Sequence, residues 1–259
     1  MSEELNEKLL HNPFTKNLLD IVGLTIKDVE KRDGFDFEKN NNHLFNEKEK
    51  YILRINKLHR NLIYCTEQII YIKVFIKRYP NKDYYRKENI SQLTYIQYHI
   101  EVLFHKIHTI LELMKLLVNE VYELKIDSKD CSWNSLTARL DKKNPTLKII
   151  DKYYKTFKNI IDSRNANTHR GIFNDKEKDK IELDYGLSIY EMHERLGIEN
   201  DIEFERMFPK FMIDFKIKEY RKNRILLINK IQSIIYDLEV EFLTSLNDKF
   251  NKMIKKPVD

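Results

Sequence analysis

Between Leu93 and Leu124 an apolar residue recurs every third or fourth position without a lapse: Leu93, Ile96, Ile100, Leu103, Ile107, Ile110, Met114, Leu117, Val121 and Leu124. Seven residues of α-helix turn through about 700°, so this spacing lays every one of them on a single stripe. A strand could not do so, because steps of three place neighbours on opposite sides of a pleat. The segment must therefore be a long helix, and its stripe needs comparably long partners. An unbroken seven-residue period suits a bundle or a coiled-coil-like seam.

The partners are present. From about Glu47 to Arg78 a second stripe runs through Ile55, Leu58, Leu62, Cys65, Ile69, Ile72 and Ile76, closed by Tyr79-Pro80-Asn81. A third starts at Asn144-Pro145, an N-cap followed by a first-turn proline, and continues through Leu147, Ile150, Tyr154, Phe157 and Ile161 to a stop at Gly171. A fourth covers about Met212 to Met253, with Leu227, Ile231, Ile234, Leu238 and Phe242 on one side. Five glycines and five prolines are too few for a many-stranded fold. The expected fold is all-α: an antiparallel bundle of four long helices, with extra N-terminal helices and an insertion before the last helix.

Residues 1–45 read as an N-terminal extension packing on a bundle of residues 46–259, with the insertion at about 172–208. Within the extension, helical pieces are expected at Glu3–Leu10 and Thr15–Glu30, then a loop at Asn40 to Asn42. A short helix is expected at Ser135 to Asp141, and alternation at Lys180 to Tyr185 allows a short strand.

Several classes are not expected. No run of about 18 apolar residues exists, and the start, Met1-Ser2-Glu3-Glu4, lacks an apolar signal core. Cys65 and Cys131 form neither a metal spacing nor a disulfide framework, and Cys65 lies on an apolar stripe. A reducing cytoplasm is the expected location. Walker, dinucleotide and nucleophile-elbow motifs are absent. A net charge of +5 permits a polyanionic partner without requiring one.

The chemistry concentrates where the third stripe should still be apolar, in Asp162-Ser163-Arg164-Asn165-Ala166-Asn167-Thr168-His169-Arg170-Gly171. Beyond Ile161 the next inward positions are Arg164 or Asn165, then Thr168. Arg164 offers a planar fork of donors that fits phosphate oxygens. His169 carries an imidazole, which can serve as acid or base. Asn165, four residues before His169, could orient its ring. Residues five apart lie about 140° apart around an ideal helix, so Arg164 and His169 share no face. Either the helix loosens near Asn167, or the site is composite, with a second copy of the chain supplying part of it.

Arg164-Asn165-Ala166-Asn167-Thr168-His169 resembles the signature of the HEPN superfamily of helical bundles: Arg, a polar residue, and His after four to six intervening residues. The resemblance covers about residues 46–255. It implies a metal-independent endoribonuclease without cofactor, acting on RNA as a homodimer in a toxin–antitoxin or antiviral defence role, with a regulatory protein or antitoxin as a further partner. It also implies that His169 moves the proton, Arg164 holds the scissile phosphate and Asn165 orients the pair. Where some relatives carry a modifiable tyrosine two residues after the histidine, this chain has Gly171.

Lys148, Lys152, Lys155 and Lys158 form a basic ridge on the same helix, and Lys155, Lys158 and Arg170 are the candidate RNA contacts. A plain solvated face would give the same pattern. Tyr153 and Tyr154 lie among these lysines, Tyr154 on the core stripe. Glu101, His105, His108 and Glu112 share a face of the second helix and could contribute to a metal site, but no matching Glu-x-x-His occurs on the other helices, and the expected reading is exposed or half-buried pairs. No partner for His11, His43, His59, His99 or His193 can be identified from sequence. A non-catalytic module that dimerises or binds RNA or nucleotide remains the alternative reading.

Overall fold

The computed structural model describes residues 8–79, 82–171 and 175–255, with only the backbone of Arg86 and Arg170, and no strand occurs among them. The fold is all-α. The helices are α1 (Pro13–Val29), α2 (Glu47–Lys77), α3 (Lys82–Lys87), α4 (Gln92–Val121), α5 (Trp133–Arg139), α6 (Pro145–Arg170), α7 (Lys176–Glu182), α8 (Leu187–Leu196), α9 (Ile202–Met207) and α10 (Lys210–Ile254). The four long helices α2, α4, α6 and α10 occupy the four stripes. Of the helix expected at Glu3–Leu10, residues 8–10 are helical and the rest lies outside the described residues, as do Pro80 and Asn81 after α2.

Local chemistry explains most boundaries. Asn12 caps α1 by accepting from the Phe14 N–H at 3.0 Å, with Pro13 in the first turn. The helix expected from Ser135 begins two residues earlier, at Trp133. Ser132 is its N-cap, and Ser135 is the third helical residue of a reciprocal capping box. The strand allowed at Lys180 to Tyr185 does not form. Asp175 accepts from the Glu177 and Lys178 N–H groups and starts α7 in its place, burying Ile181 but leaving Leu183 exposed. After α7 the chain turns at Gly186, whose φ of 75° suits glycine; a Cβ there would lie 2.5 Å from Cδ1 of Phe208.

The chain forms two compact units, and each long helix contributes a segment to both. The first comprises residues up to Glu67, Ile107–Lys158 and the chain from Ser233 onward. Within it, Tyr51 donates to the Val121 carbonyl (3.1 Å) and Arg54 pairs with Glu120 (2.6 Å), so α2 and α4 run antiparallel. Ser245 bonds Thr146 (3.0 Å) and Lys152 pairs with Glu241 (2.7 Å), which sets α6 antiparallel to α10. Helix α1 is tied in by Asn12 to the Val240 carbonyl and Thr244, and by fully buried Phe14 against Phe250. Burying such a ring contributes about 1.5–3 kcal/mol.

Two side chains take the face expected of a neighbour. Tyr153, not Tyr154, is buried, because its hydroxyl reaches the Ile107 carbonyl at 2.9 Å while Tyr154 stays 38% exposed. His59 is buried and Leu58 half-buried, because the Thr15 hydroxyl of α1 meets His59 Nε2 at 3.0 Å. Burial pushes the His59 pKa down to about 4. Glu239 is also buried. One of its carboxyl oxygens accepts from Thr66 (2.9 Å), the other has no partner among the described residues, and burial raises its pKa to about 8.

The second unit comprises Gln68–Lys106 and Asn159–Gln232. Its core holds Ile69, Ile72, Ile76, Leu93, Ile96, Ile100 and Leu103 with Ile161, Ile213, Ile217 and Ile231. Asp175 is buried under a charge-assisted clasp, accepting from Arg224 at 2.7 Å and from the Tyr220 hydroxyl at 2.7 Å, so the cap of α7 is fixed to α10. His99 and His193 have partners as well: His99 stacks on Phe75, and His193 Nδ1 lies 2.6 Å from Asn200 Oδ1.

Candidate functional site

Helix α6 buries Ile150, Tyr153, Phe157 and Ile161, then changes character in its last two turns. Arg164, Asn165 and Asn167 are half-buried, whereas Thr168 and His169 are exposed. Thr168 therefore does not continue the inward stripe. Asn167 takes that role because its amide donates to Glu101 of α4 at 3.1 Å. Gly171, with φ of 65°, closes the helix by donating its N–H to the Asn167 carbonyl at 2.9 Å.

Arg164 is held from two sides. Its Nε–H donates to Nδ1 of His105 on α4 at 3.3 Å, and its Nη1 donates to Asn165 Oδ1 at 3.0 Å. A guanidinium can only donate, so His105 Nδ1 carries the lone pair and the ring is neutral. Its pKa is lowered by burial first, then by the charges of Arg164 and Lys106, with Glu101 opposing. Among the described residues no carboxylate pairs with Arg164. The cation is thus oriented by neutral groups and keeps its full charge, which is the condition for gripping an anion.

Asn165, expected to orient the Arg–His pair, is bonded to Arg164; among the described residues no hydrogen bond joins it to His169. His169 projects from the final turn into solvent. The helix does not loosen at Asn167, since α6 is regular to Arg170. The angular separation of about 140° between Arg164 and His169 therefore persists within one chain.

In the other compact unit the same helix carries the lysines. Lys148, Lys152, Lys155 and Lys158 are all exposed, with Lys152 paired to Glu241 and Lys155 to Asp151 at 2.5 Å. The side chain of Arg170 lies outside the described residues.

The histidine–glutamate face of α4 belongs partly to this site, which the sequence reading did not detect. Glu101 accepts from Gln97 and Asn167, and His105 accepts from Arg164. Further along, His108 lies 3.6 Å from Glu112, which also pairs with Lys115. Among the described residues no three His, Cys, Asp or Glu side chains gather as metal ligands. The pairs Glu101–Asn167 and His105–Arg164 also run α4 and α6 antiparallel and set them in axial register. A sequence signal existed: a polar row beside an apolar seam on one helix, and a polar end on another.

Among the described residues no helix is long and apolar enough to cross a membrane. A family model described as HEPN_Cthe2314-like HEPN matches residues 54–238, from α2 to the middle of α10, and includes the whole of α6. No curated protein and no solved structure matches the chain.

Proposed function

Because this chain belongs to the HEPN family, we propose that it is a metal-independent endoribonuclease acting on single-stranded or looped RNA. The observation that carries the reading is the state of Arg164: half-buried, oriented by His105 and Asn165, and undischarged by any carboxylate among the described residues. A structural arginine capping a bundle would be expected to hold an acid.

In the proposed reaction the RNA 2′-hydroxyl attacks the adjacent phosphorus while an imidazole takes its proton. The bond to the 5′-oxygen breaks, a second proton reaches that oxygen, and the products are a 2′,3′-cyclic phosphate and a 5′-hydroxyl. Arg164 stabilises the charge that grows on the non-bridging oxygens. His169 is the proton-moving group. Asn165 holds one Nη1 proton of Arg164 and so limits its rotation. Regular helix through residue 170 separates Arg164 from His169, which favours a site completed by the second copy in a two-fold dimer. Arg164 of one copy then works with His169 of the other, whose imidazole takes the 2′-hydroxyl proton and returns a proton to the 5′-oxygen.

Lys155, Lys158 and Arg170 are proposed to track the RNA backbone. The Lys155–Asp151 pair does not oppose this, because exposed pairs four apart contribute only about 0.3–0.5 kcal/mol and yield to phosphate. Residues 1–45 are proposed as an extension attached to the family bundle, and the cellular role as a toxin or antiviral effector.

The deciding experiment is cleavage of labelled RNA in EDTA by wild type, Arg164→Ala and His169→Ala. Wild type should cut, leaving cyclic phosphate ends. Each variant should lose on the order of 10²–10⁴-fold at unchanged helicity and oligomeric state. Cleavage that needs Mg²⁺ or Zn²⁺ would overturn the mechanism, and an RNA-binding protein that never cuts would leave the non-catalytic module. Growth arrest by wild type and not by His169→Ala tests the toxin role.

A further inference from the structure

We propose that His105 is a positioning residue for Arg164: its imidazole closes one edge of the guanidinium and presents the other to the scissile phosphate. This rests on the ribonuclease reading above and adds to it a residue outside the Arg–polar–His motif, on a different helix.

Arginine has five N–H bonds in a fixed plane, one on Nε and two on each Nη. They offer two bidentate edges, one formed by Nε with Nη2 and one by the two Nη groups. In this chain Nε is engaged by His105 at 3.3 Å, which closes the first edge. Asn165 takes one Nη1 proton at 3.0 Å, leaving the second Nη1 proton and both on Nη2. With the Nε edge closed, a phosphate meets the guanidinium from its Nη side, where both Nη2 protons and the Nη1 proton left by Asn165 remain. Position and angle are both set before the RNA arrives, which is where a positioned group earns its effect on rate.

The residue type matters as much as its place. A carboxylate at position 105 would hold the same Nε more tightly, but it would cancel the charge that the phosphate needs. A neutral imidazole accepts the hydrogen bond and leaves the guanidinium at full charge. Glu101, one turn before His105 on the same face, is engaged by Gln97 and by Asn167. Asn167 thus keeps the acid bonded one turn away, while the register of α4 against α6 sets the imidazole opposite the arginine.

The test compares His105→Leu, His105→Gln and His105→Glu, alone and combined with Arg164→Ala. His105→Leu should lower kcat by roughly 10–100-fold with KM changed less than threefold, because a misaligned clamp loses orientation before it loses binding. The amide oxygen of glutamine can accept from Nε, so His105→Gln should recover most of that loss. His105→Glu should be the worst of the three, weakening RNA affinity as well as turnover. In the Arg164→Ala background, His105→Leu should add less than a twofold loss, since it acts through the missing guanidinium.

Losses that multiply in the double variant, or a fully active His105→Leu protein, would overturn the proposal. If wild type cuts no RNA, the nuclease reading has failed on its own terms. His105 is then judged by affinity for an oligonucleotide with 2′-deoxyribose throughout and by the Arg164 Nε–H signal in ¹⁵N NMR. That signal should be displaced in wild type and revert in His105→Leu; an unchanged signal and affinity would reject the role.

Discussion

Glu239 allows a stability prediction with its magnitude worked from burial. The folded chain holds this carboxyl at about 8, against an ordinary value of 4.5, because it sits wholly buried with a single hydroxyl donor, Thr66. A raised folded pKa means that the folded state binds the proton more tightly than the unfolded one. The stability this brings is complete below 4.5 and is lost as pH rises toward 8. At about 1.36 kcal/mol per unit, the whole span is worth about 5 kcal/mol, and acidifying from pH 8 to 6.5 should return about 2 kcal/mol. His59 works in the opposite sense. Its folded value of about 4 lies below the ordinary 6.5, so the unfolded state binds its proton more tightly and stability falls as pH drops from 6.5 toward 4. The two slopes oppose one another between 4.5 and 6.5, giving a plateau with a fall on each side. Glu239→Gln keeps an acceptor for Thr66 and removes the titration. Thermal unfolding followed by circular dichroism at pH 6.5 and pH 8 is the assay. The wild-type midpoint should rise by about 4–8 °C on acidification, and the Glu239→Gln midpoint should move far less. A gap between the two proteins that stays constant across that interval would refute the burial argument.

Two further outcomes follow from the site and its scaffold. Co-expressing Arg164→Ala with His169→Ala should restore up to about a quarter of wild-type cleavage, because half of randomly assorted dimers carry one composite site with both groups intact; no recovery would place the site within one chain. Gly186→Ala combines a left-handed φ of 75° with a Cβ 2.5 Å from the Phe208 ring, and should destabilise by at least about 2 kcal/mol in denaturant unfolding.

The long helices were legible because the apolar period over Leu93 to Val121 admits no other structure, and every stripe residue in that span is buried. Details that depend on one polar group were not. Ser132 and Ser135 are both plausible caps, and only the reciprocal box picks the first. Lys180 to Tyr185 alternates like a strand, yet the carboxylate of Asp175, clasped by Arg224 and Tyr220, starts a helix just before it. Tyr153 and Tyr154 differ by 100° around α6, and a hydroxyl with a carbonyl in reach decides which one turns inward.

At the candidate site the same division has a chemical consequence. A motif on one helix is visible as letters, so Arg164, Asn165 and His169 could be singled out as candidates from their residue types and the family resemblance those letters carry. The imidazole across from Arg164 could not, because periodicity fixes which face a residue occupies and says nothing of its height against a neighbouring helix. Without that height, Glu101, His105, His108 and Glu112 read as one row of exposed or half-buried pairs that could also contribute to a metal site. With it the row separates by function: Glu101 secures Asn167, His105 orients Arg164, and His108 and Glu112 pair with each other. Shifting α4 by one turn, about 5.4 Å, would place Glu101 or Thr109 near the guanidinium instead. The first would discharge it and the second would fall short of it, so the packing that sets axial register also sets whether Arg164 can hold a phosphate.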